Sequence, residues 1–482
     1  MSSQASIPDD DGPLYAAAKK VYPQSVKGRY RQIKWALLLF CLGIYYFLPF
    51  VRWDRGSALP DQAVLIDFER RRFYFFFIEL WPQEVYYLTG LLILAAIILF
   101  LMNAVAGRIW CGYLCPQTVW TDLFFAVERF VEGDRRDRIK LDAQPLSAGK
   151  IARKATKHFL WLMIAWWTGG AWVLYFSDAP TLVKDLATFQ APLSAYLWIG
   201  ILTATTYVFA GHMREQVCLY MCPWPRIQAA LTDSDALNVT YRFDRGEPRA
   251  SVKQAAQLRA AGEKAGDCVE CKQCIAVCPT GIDIRDGTQL GCIQCGLCID
   301  ACDDVMGKLG REPGLIGYDT LKAVEARACG TKPPGLRIIR PRTILYGAII
   351  AIVGGAMLYQ LATRAFLGMS VVHERTPLFT VLKDGSIRNA YTLRIANKRS
   401  EERPIAITLD VPMGTVWEVT GVQATADWRP IVTVPPDATI DVKLFVTMPK
   451  VHAVSPSRMI QIKAADLSFG ETVSAKDNFF AP

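Results

Sequence analysis

Five apolar runs interrupt an otherwise polar chain, and each predicts a helix that spans a bilayer. Trp35–Val51 holds seventeen apolar or small residues between Lys34 and Arg52, near the lower length limit for a span. Val85–Ala106 carries no charge, Phe159–Phe176 is lined with Trp161, Trp166, Trp167 and Trp172, and Leu193–Ala210 follows after a short connection. Ile344–Leu361 is the fifth, with Gly354-Gly355 permitting close helix contact. Past residue 364 the pattern changes to alternation. Tyr391–Ile395, Ile405–Leu409, Ile431–Val434, Ile440–Val446 and Met459–Ile462 read as strands, separated by turn signals such as Lys383-Asp-Gly385 and Pro435-Pro-Asp437. About seven short strands there suit an immunoglobulin-like sandwich. It contains no Cys and must hold itself by packing alone.

The connecting stretches complete the plan. Residues 1–30 are polar and read as a tail that is disordered or only partly helical, with no removable signal peptide. Residues 52–84 read as a mixed loop in which Arg70-Arg71-Arg72 precedes Phe73–Phe77 and Trp81, as in an interfacial aromatic belt. The loop after the second run is rich in Arg and Lys, whereas 177–192 has only Lys184. By the positive-inside rule the N-terminus, 107–157 and 212–342 face the cytoplasm. Five spans then leave 364–482 in the periplasm. The expected domains are a 1–30 tail and a 31–213 four-span membrane domain. A cytoplasmic region at 214–342 follows, with a ferredoxin domain at 260–310. The fifth span is 343–363, and the sandwich occupies 364–482. The fold class is thus a multi-domain α-helical membrane bundle of about five spans, with an α+β ferredoxin insert and an all-β C-terminal domain.

Composition narrows the function. The chain has 482 residues, 52% of them hydrophobic, and a net charge of +9. In a membrane protein that excess belongs to the cytoplasmic loops, and no nucleic-acid motif accompanies it. There is no Gly-x-Gly-x-x-Gly after a strand and no P-loop, so an electron donor must be a separate molecule.

The fourteen Cys carry the chemistry. Cys268, Cys271, Cys274 and Cys278-Pro279 form one Cys-x-x-Cys-x-x-Cys-x-x-x-Cys run, and Cys292, Cys295, Cys298 and Cys302 form a second. This is the spacing of a two-cluster bacterial ferredoxin. Three thiolates on a tight loop face one cubane, and the fourth, a turn further on, reaches the other. Cys268, Cys271, Cys274 and Cys302 are expected on one 4Fe–4S cluster, and Cys292, Cys295, Cys298 and Cys278 on the other. The competing readings are a zinc site, which uses other spacings, and a disulfide knot, which needs an oxidising compartment. Asp303 stands where the first run has Pro279 and is expected to loosen the following loop.

Two further pairs share the form Cys-x-x-x-Cys-Pro: Cys111 and Cys115 before Pro116, and Cys218 and Cys222 before Pro223. Each follows an apolar run at its cytoplasmic end. On a helix, i and i+4 thiols share a face, and the Pro breaks or restarts that helix. If the two hairpins pack together, four soft thiolates converge, a set that selects copper(I), zinc or iron–sulfur. His212, Met213 and Met221 are further candidate ligands. Two unrelated pairs of buried thiols are the alternative. His158 and His212 lie near one membrane face and do not form a pair stacked across the bilayer, which argues against haem. Cys41 and Cys329 read as inert buried thiols, and His373 and His452 as surface residues.

The motifs as a set resemble the cytochrome c oxidase accessory protein family called CcoG, FixG or RdxA. The likeness rests on Phe73-Tyr-Phe75 with Trp81-Pro-Gln83, Trp110–Asp122, Arg214–Pro223 and Cys278–Asp286. It extends over nearly the whole chain. It implies a bacterial inner-membrane protein with two cytoplasmic 4Fe–4S clusters that reduces copper(II) to copper(I) in assembly of the C-family haem–copper oxidase. Copper-delivery and oxidase-assembly proteins and an unidentified electron donor would be its partners. Homo-oligomerisation stays open. The family's ligand assignments carry over to the eight ferredoxin Cys and to Cys111, Cys115, Cys218 and Cys222, of which the last four have the less defined role. Two other readings compete. One is a polyferredoxin-type subunit linking quinol to a periplasmic reductase, which usually lacks the sandwich. The other is a non-redox assembly scaffold.

Overall fold

The computed structural model describes residues 20–56, 59–399, 401–422, 429–452 and 455–482. The chain divides into two compact units, Met1–Val51 with Ala63–Gly355, and Arg52–Gln62 with Ala356–Pro482.

In the first unit, α1 (Arg29–Phe47) and α2 (Tyr86–Ala106) are the first two apolar helices. Residues 52–84, expected as a loop, contain a three-stranded antiparallel meander: β1 (Val64–Asp67), β2 (Arg72–Phe75) and β3 (Ile78–Leu80). The aromatic run hid its period of two: Tyr74 is buried while Phe73 and Phe75 on either side are exposed. Beyond α2 come the short α3 (Ile109–Tyr113), then α4 (Pro116–Glu132) and α5 (Arg135–Ala143). Next are α6 (Ala148–Val173), α7 (Ala179–Ala187) and α8 (Leu193–Thr206). Gly169, near the C-terminal end of α6, approaches the Ile199 carbonyl midway along α8. His158, earlier in α6, meets Tyr207 at the C-terminal end of α8, so the two helices run antiparallel.

Among the described residues four helices are long and apolar enough to cross a membrane: Arg29–Phe50, Pro82–Ala106, Leu193–Met213 and Pro341–Ala362. The fifth expected span lies in α6, which falls short because Lys150, Arg153, Lys154 and Lys157 occupy its first turns. Residues 1–19 of the expected tail lie outside the described residues; 20–28 are held by side-chain contacts, and Arg29 and Tyr30 already belong to α1. Ser25 donates to Asp134, Lys20 and Tyr22 donate to Asp142, and Arg138 donates to the Pro23 carbonyl.

The Cys-rich insert follows α9 (Trp224–Leu231). Strand β4 (Asn238–Tyr241) pairs antiparallel with β5 (Ile316–Asp319). Between them lie α10 (Phe243–Gly246), α11 (Val252–Ala260), α12 (Gln273–Ala276) and α13 (Leu297–Lys308). After β5, α14 (Leu321–Ala328) leads to α15 (Pro341–Ala362), which runs on into the second unit. Asp303 does not loosen its loop. With no proline to stop it, α13 continues through Cys302, and the Asp303 carboxylate accepts from Gly314 N at 2.7 Å.

The C-terminal part is an antiparallel sandwich. One sheet has the order β10-β12-β8-β6, with β7 also on β8; the other is β11-β9-β13-β14. These strands are β6 (Leu367–His373), β7 (Thr380–Val381), β8 (Ile387–Asn397), β9 (Arg403–Asp410) and β10 (Val416–Val419). The remainder are β11 (Ile431–Val434), β12 (Ala438–Met448), β13 (Ser457–Asp466) and β14 (Thr472–Phe480). Alternate residues Tyr391, Leu393 and Ile395 of β8, with Leu444 and Val446 of the neighbouring β12, pack with Ile405, Ile407, Ile460 and Ile462 of the other sheet in one core. A buried Arg403–Asp466 pair stands within this all-apolar setting, with Glu471 as its second acid.

Candidate metal centres

The two ferredoxin runs fold as equivalent loops. In the first, Glu270 and Lys272 have φ of 54° and 56°; in the second, Gln294 and Gly296 have φ of 56° and 73°. These are the same two offsets from the first Cys of each loop. Paired left-handed residues curl each loop round a centre, a strained geometry that three non-glycine side chains tolerate. α12 and α13 then start one residue before the third Cys of each run.

Each loop closes on a small cavity. One is lined by Cys268, Cys271, Cys274 and Cys302, the other by Cys278, Cys292, Cys295 and Cys298, with Cys274 also on the wall of the second. The fourth Cys of each run thus stands with the other run's three. Among the described residues no three His, Cys, Asp or Glu side chains close round a point that would chelate a single ion. Four thiols that line one cavity without converging on a single point fit a polynuclear cluster better than a zinc ion. Burial pushes the Cys274, Cys292 and Cys302 thiols up to about 12, so loading a cluster must displace protons.

The Cys-x-x-x-Cys-Pro hairpins come together beside the second cavity. Cys111 lies in α3; Cys115 immediately precedes α4, whose first residue is Pro116. Cys218 lies in a widened helical turn, Val217–Met221, rather than an α-helix, and Cys222 follows in extended backbone. Wide turns of this kind recur at functional sites. The thiols interact electrostatically as a group: burial first, then Cys115, pushes Cys111 up to about 12, with Cys218 and Cys222 contributing. Cys218 rises to about 12 through burial, then Cys115 and Cys222.

The contact between this quartet and the second ferredoxin loop is close. A Cβ on Gly112 would stand 2.7 Å from the Ile293 carbonyl and 3.0 Å from Cys295 Cα, so only glycine permits the approach. Tyr113 donates to the Cys295 carbonyl at 3.0 Å, and Cys111 packs with Ile293, Cys295 and Leu297. Buried Arg108 donates to the carbonyls of Leu290 and Pro225, and its backbone N–H bonds Gln294 Oε1 at 2.7 Å. On the other hairpin, Cys218 shares a small cavity with Thr280 and Ile293, which also line the second cluster cavity.

Charged residues that sequence patterning does not single out hold this arrangement. Glu128 is 1% exposed and receives Arg214 at 2.6 Å, Arg138 at 2.9 Å and Lys157 at 3.5 Å. This one carboxylate ties α4, α5 and α6 to the turn that leads into Cys218. Asp300, between Cys298 and Cys302, accepts from the N–H groups of Tyr30 and Arg31 at 3.1 and 2.8 Å and so caps α1. A Cβ on Gly28 would overlap its carboxyl. Such contacts join residues up to 270 positions apart, and only the Arg214 position was visible, as part of a motif.

His158 and His212 stack side by side near the end of the apolar helix Leu193–Met213. Their rings are 5.8 Å apart and 13° from parallel, and Tyr207 bonds His158 Nδ1 at 2.9 Å. The antiparallel packing of α6 on the segment after α8 brings them together. Met221 is exposed, and among the described residues His212 joins no group of three His, Cys, Asp or Glu side chains.

Comparison with known proteins matches residues 213–321 to a 4Fe-4S dicluster domain family and residues 88–133 to a 4Fe-4S binding domain family. Residues 357–482 match the IG-like fold at the C-terminal of FixG, described as a candidate oxidoreductase. The nitrogen fixation protein FixG of Rhizobium meliloti is 49% identical across 98% of this chain and 94% of its own length. RdxA of Cereibacter sphaeroides is 48% identical over 91% of each chain, and RdxB of the same organism 46% identical over 95% of this chain and 96% of its own.

Proposed function

The chain belongs to the family of FixG, RdxA and RdxB, and on that premise we propose that this iron–sulfur oxidoreductase reduces copper(II) to copper(I) for assembly of a C-family haem–copper oxidase. The observation that carries the reading is the contact of the four-thiol group with the second ferredoxin loop at Gly112, Tyr113 and Cys295.

When bound, 4Fe–4S clusters store and pass single electrons. Cys268, Cys271, Cys274 and Cys302 would hold one, and Cys278, Cys292, Cys295 and Cys298 the other. Copper(II) is the substrate: one electron converts it to copper(I), and Cys111, Cys115, Cys218 and Cys222 favour that ion because soft thiolates prefer it. Thiols lifted by burial give up protons as the metal binds. Gly112 and Arg108 keep the quartet against the loop. The Glu128 network and Asp300 fix the two hairpins and the ferredoxin insert to one frame. Copper-delivery and oxidase-assembly proteins are the expected partners. We place α6 in the membrane beside α8. Five crossings then put the insert in the cytoplasm and the sandwich in the periplasm.

The test replaces Cys111, Cys115, Cys218 and Cys222 by Ser. Each protein is reduced anaerobically and mixed with copper(II), and cluster reoxidation is followed with a copper(I)-specific chelator. The variant should keep both clusters reducible but lose copper(I) binding and most copper reduction together. Full copper reduction by the variant would make the four thiols structural.

A second reading has one observation in its favour. The 88–133 match to a 4Fe-4S binding domain covers Cys111 and Cys115 alone among the cluster candidates. In this reading the quartet holds additional iron–sulfur and the chain is a pure electron carrier. Iron analysis separates the two, since two cubanes account for about eight irons per chain.

A further inference from the structure

The two ferredoxin sites have unlike electrostatic surroundings. The first has a cation near Cys274, Arg285, but Arg285 is spent on Asp283, donating to its two oxygens at 2.9 and 2.6 Å. Asp303 adds a negative charge beside Cys302. The second site has two cations with less to balance them. Arg108, near Cys292, donates to the Leu290 and Pro225 carbonyls. The other is Lys34, only 3% exposed. Its place follows from α1. The Asp300 cap ties the start of that helix to the insert, and Tyr30 in the first turn lies against Gly296, where a Cβ would stand 2.8 Å from Tyr30 Cγ. Lys34 is one turn further on, on the same face. It lines a cavity together with Cys218 of the quartet and Ile293 of the second ferredoxin loop. Burial raises the Cys295 and Cys218 thiols, and Lys34 opposes that rise at each. Its acid partner, Asp122, stands 3.9 Å away and is shared with Arg31, which donates to both carboxylate oxygens at 2.9 Å. Glu215, also on the cavity wall, has its carboxyl raised by burial and is a poor counter-ion.

Resting on the relay that the copper-reductase reading requires, we propose that Lys34 makes the cluster of Cys278, Cys292, Cys295 and Cys298 the higher in reduction potential of the two. Reducing a 4Fe–4S cluster adds one negative charge, and net charge and burial around a cluster set its potential. A buried cation with only part of a counter-ion favours the reduced state, as it favours any nearby group in its more negative form. One electron then passes downhill, the first cluster oxidised and the second reduced, and it collects beside the thiol quartet where copper(II) is to be met. Lys34 is a positioning residue in this scheme: it sets where the electron rests.

Potentiometric titration of the purified full-length holoprotein with dithionite and redox mediators, followed by EPR, tests this. The second cluster's signal is the one that Cys278→Ser lacks. In wild type it should appear at the higher potential. Lys34→Met keeps the apolar stem and removes the charge. It should lower the one-electron equilibrium constant for reducing the second cluster at least tenfold, about 59 mV, and shift the first cluster less than half as far. Lys34→Arg, which keeps the charge, should stay close to wild type. Asp122→Asn removes the partner acid instead and should move the second potential upward, so the charge is tested with the opposite sign even where Lys34→Met fails to assemble. A first cluster that lies higher in wild type overturns the proposal. So do equal shifts of both clusters or no shift in Lys34→Met, the same fall in Lys34→Arg, or a fall in Asp122→Asn. The titration contains no copper. Copper(II) reduction is scored separately; its failure strikes the copper reading and leaves the potentials standing.

Discussion

Replacing Glu128 by Gln should destabilise the first unit more than any exposed substitution on its surface. The glutamine keeps the shape and one acceptor but removes the charge that faces Arg214, Arg138 and Lys157. Its side chain is 2% exposed, and those of Arg138 and Arg214 are 1% and 8% exposed, so water cannot replace the lost carboxylate. Glu132 still meets Lys157 at 3.0 Å, which leaves the two guanidinium groups without a compensating charge. Breaking a buried pair from one side costs about 3–5 kcal/mol. At about 2 °C per kcal/mol for a large unit, the melting temperature in detergent should fall by roughly 6–10 °C. The pH dependence has a definite sign. Burial alone would raise the Glu128 carboxyl, but Arg214, Lys157 and Arg138 outweigh it and hold it below the usual range. Its stabilisation is therefore present above the unfolded carboxylate range and is lost as pH falls through the depressed folded value. The gap between wild type and Glu128→Gln should be full at pH 7 and shrink in acid. A gap below about 1 °C at neutral pH, or one that widens in acid, would refute the assignment of Glu128 as the keystone of these four elements.

Two further outcomes follow from the same structure. Gly112→Val would drive a branched side chain into Ile293 and Cys295; it should slow copper reduction at least tenfold while the Cys268-side EPR signal stays normal, and an unchanged rate would separate the quartet from the ferredoxin loop. A reporter active only in the periplasm should be active when fused after Pro482 and silent when fused near Gly266, with the reverse pattern overturning the proposed orientation.

The sequence disclosed what depends on local repetition. Ferredoxin spacing, apolar runs and the period-two pattern of β8, β9, β11, β12 and β13 all repeat within a few residues, and those elements formed where expected. Three kinds of feature did not show. The β1–β3 meander was masked because its exposed positions are as aromatic as its buried one. Strands β6, β10 and β14 lack a clean alternation of apolar residues, and each is fixed by the neighbour it pairs with. The Glu128, Asp300 and Arg108 contacts join distant stretches, and nothing in a charged residue's immediate neighbours says that it will be buried. The direct stacking of His158 on His212 does not show in the sequence for the same reason: it depends on the packing of α6 against the turn after α8.

The account depends above all on the order of the relay, with the Cys278, Cys292, Cys295 and Cys298 site standing between the first site and the thiol quartet. Cys278→Ser tests that order directly, because Cys278 lies in the first run yet lines the second cavity. The variant should lose the EPR signal and iron of the second cluster and keep most of the first. In anaerobic stopped flow against copper(II), its remaining reduced cluster should reoxidise at least tenfold more slowly than in wild type. Loss of only the Cys268-side signal, or copper reduction at the wild-type rate with the second cluster gone, would contradict the account.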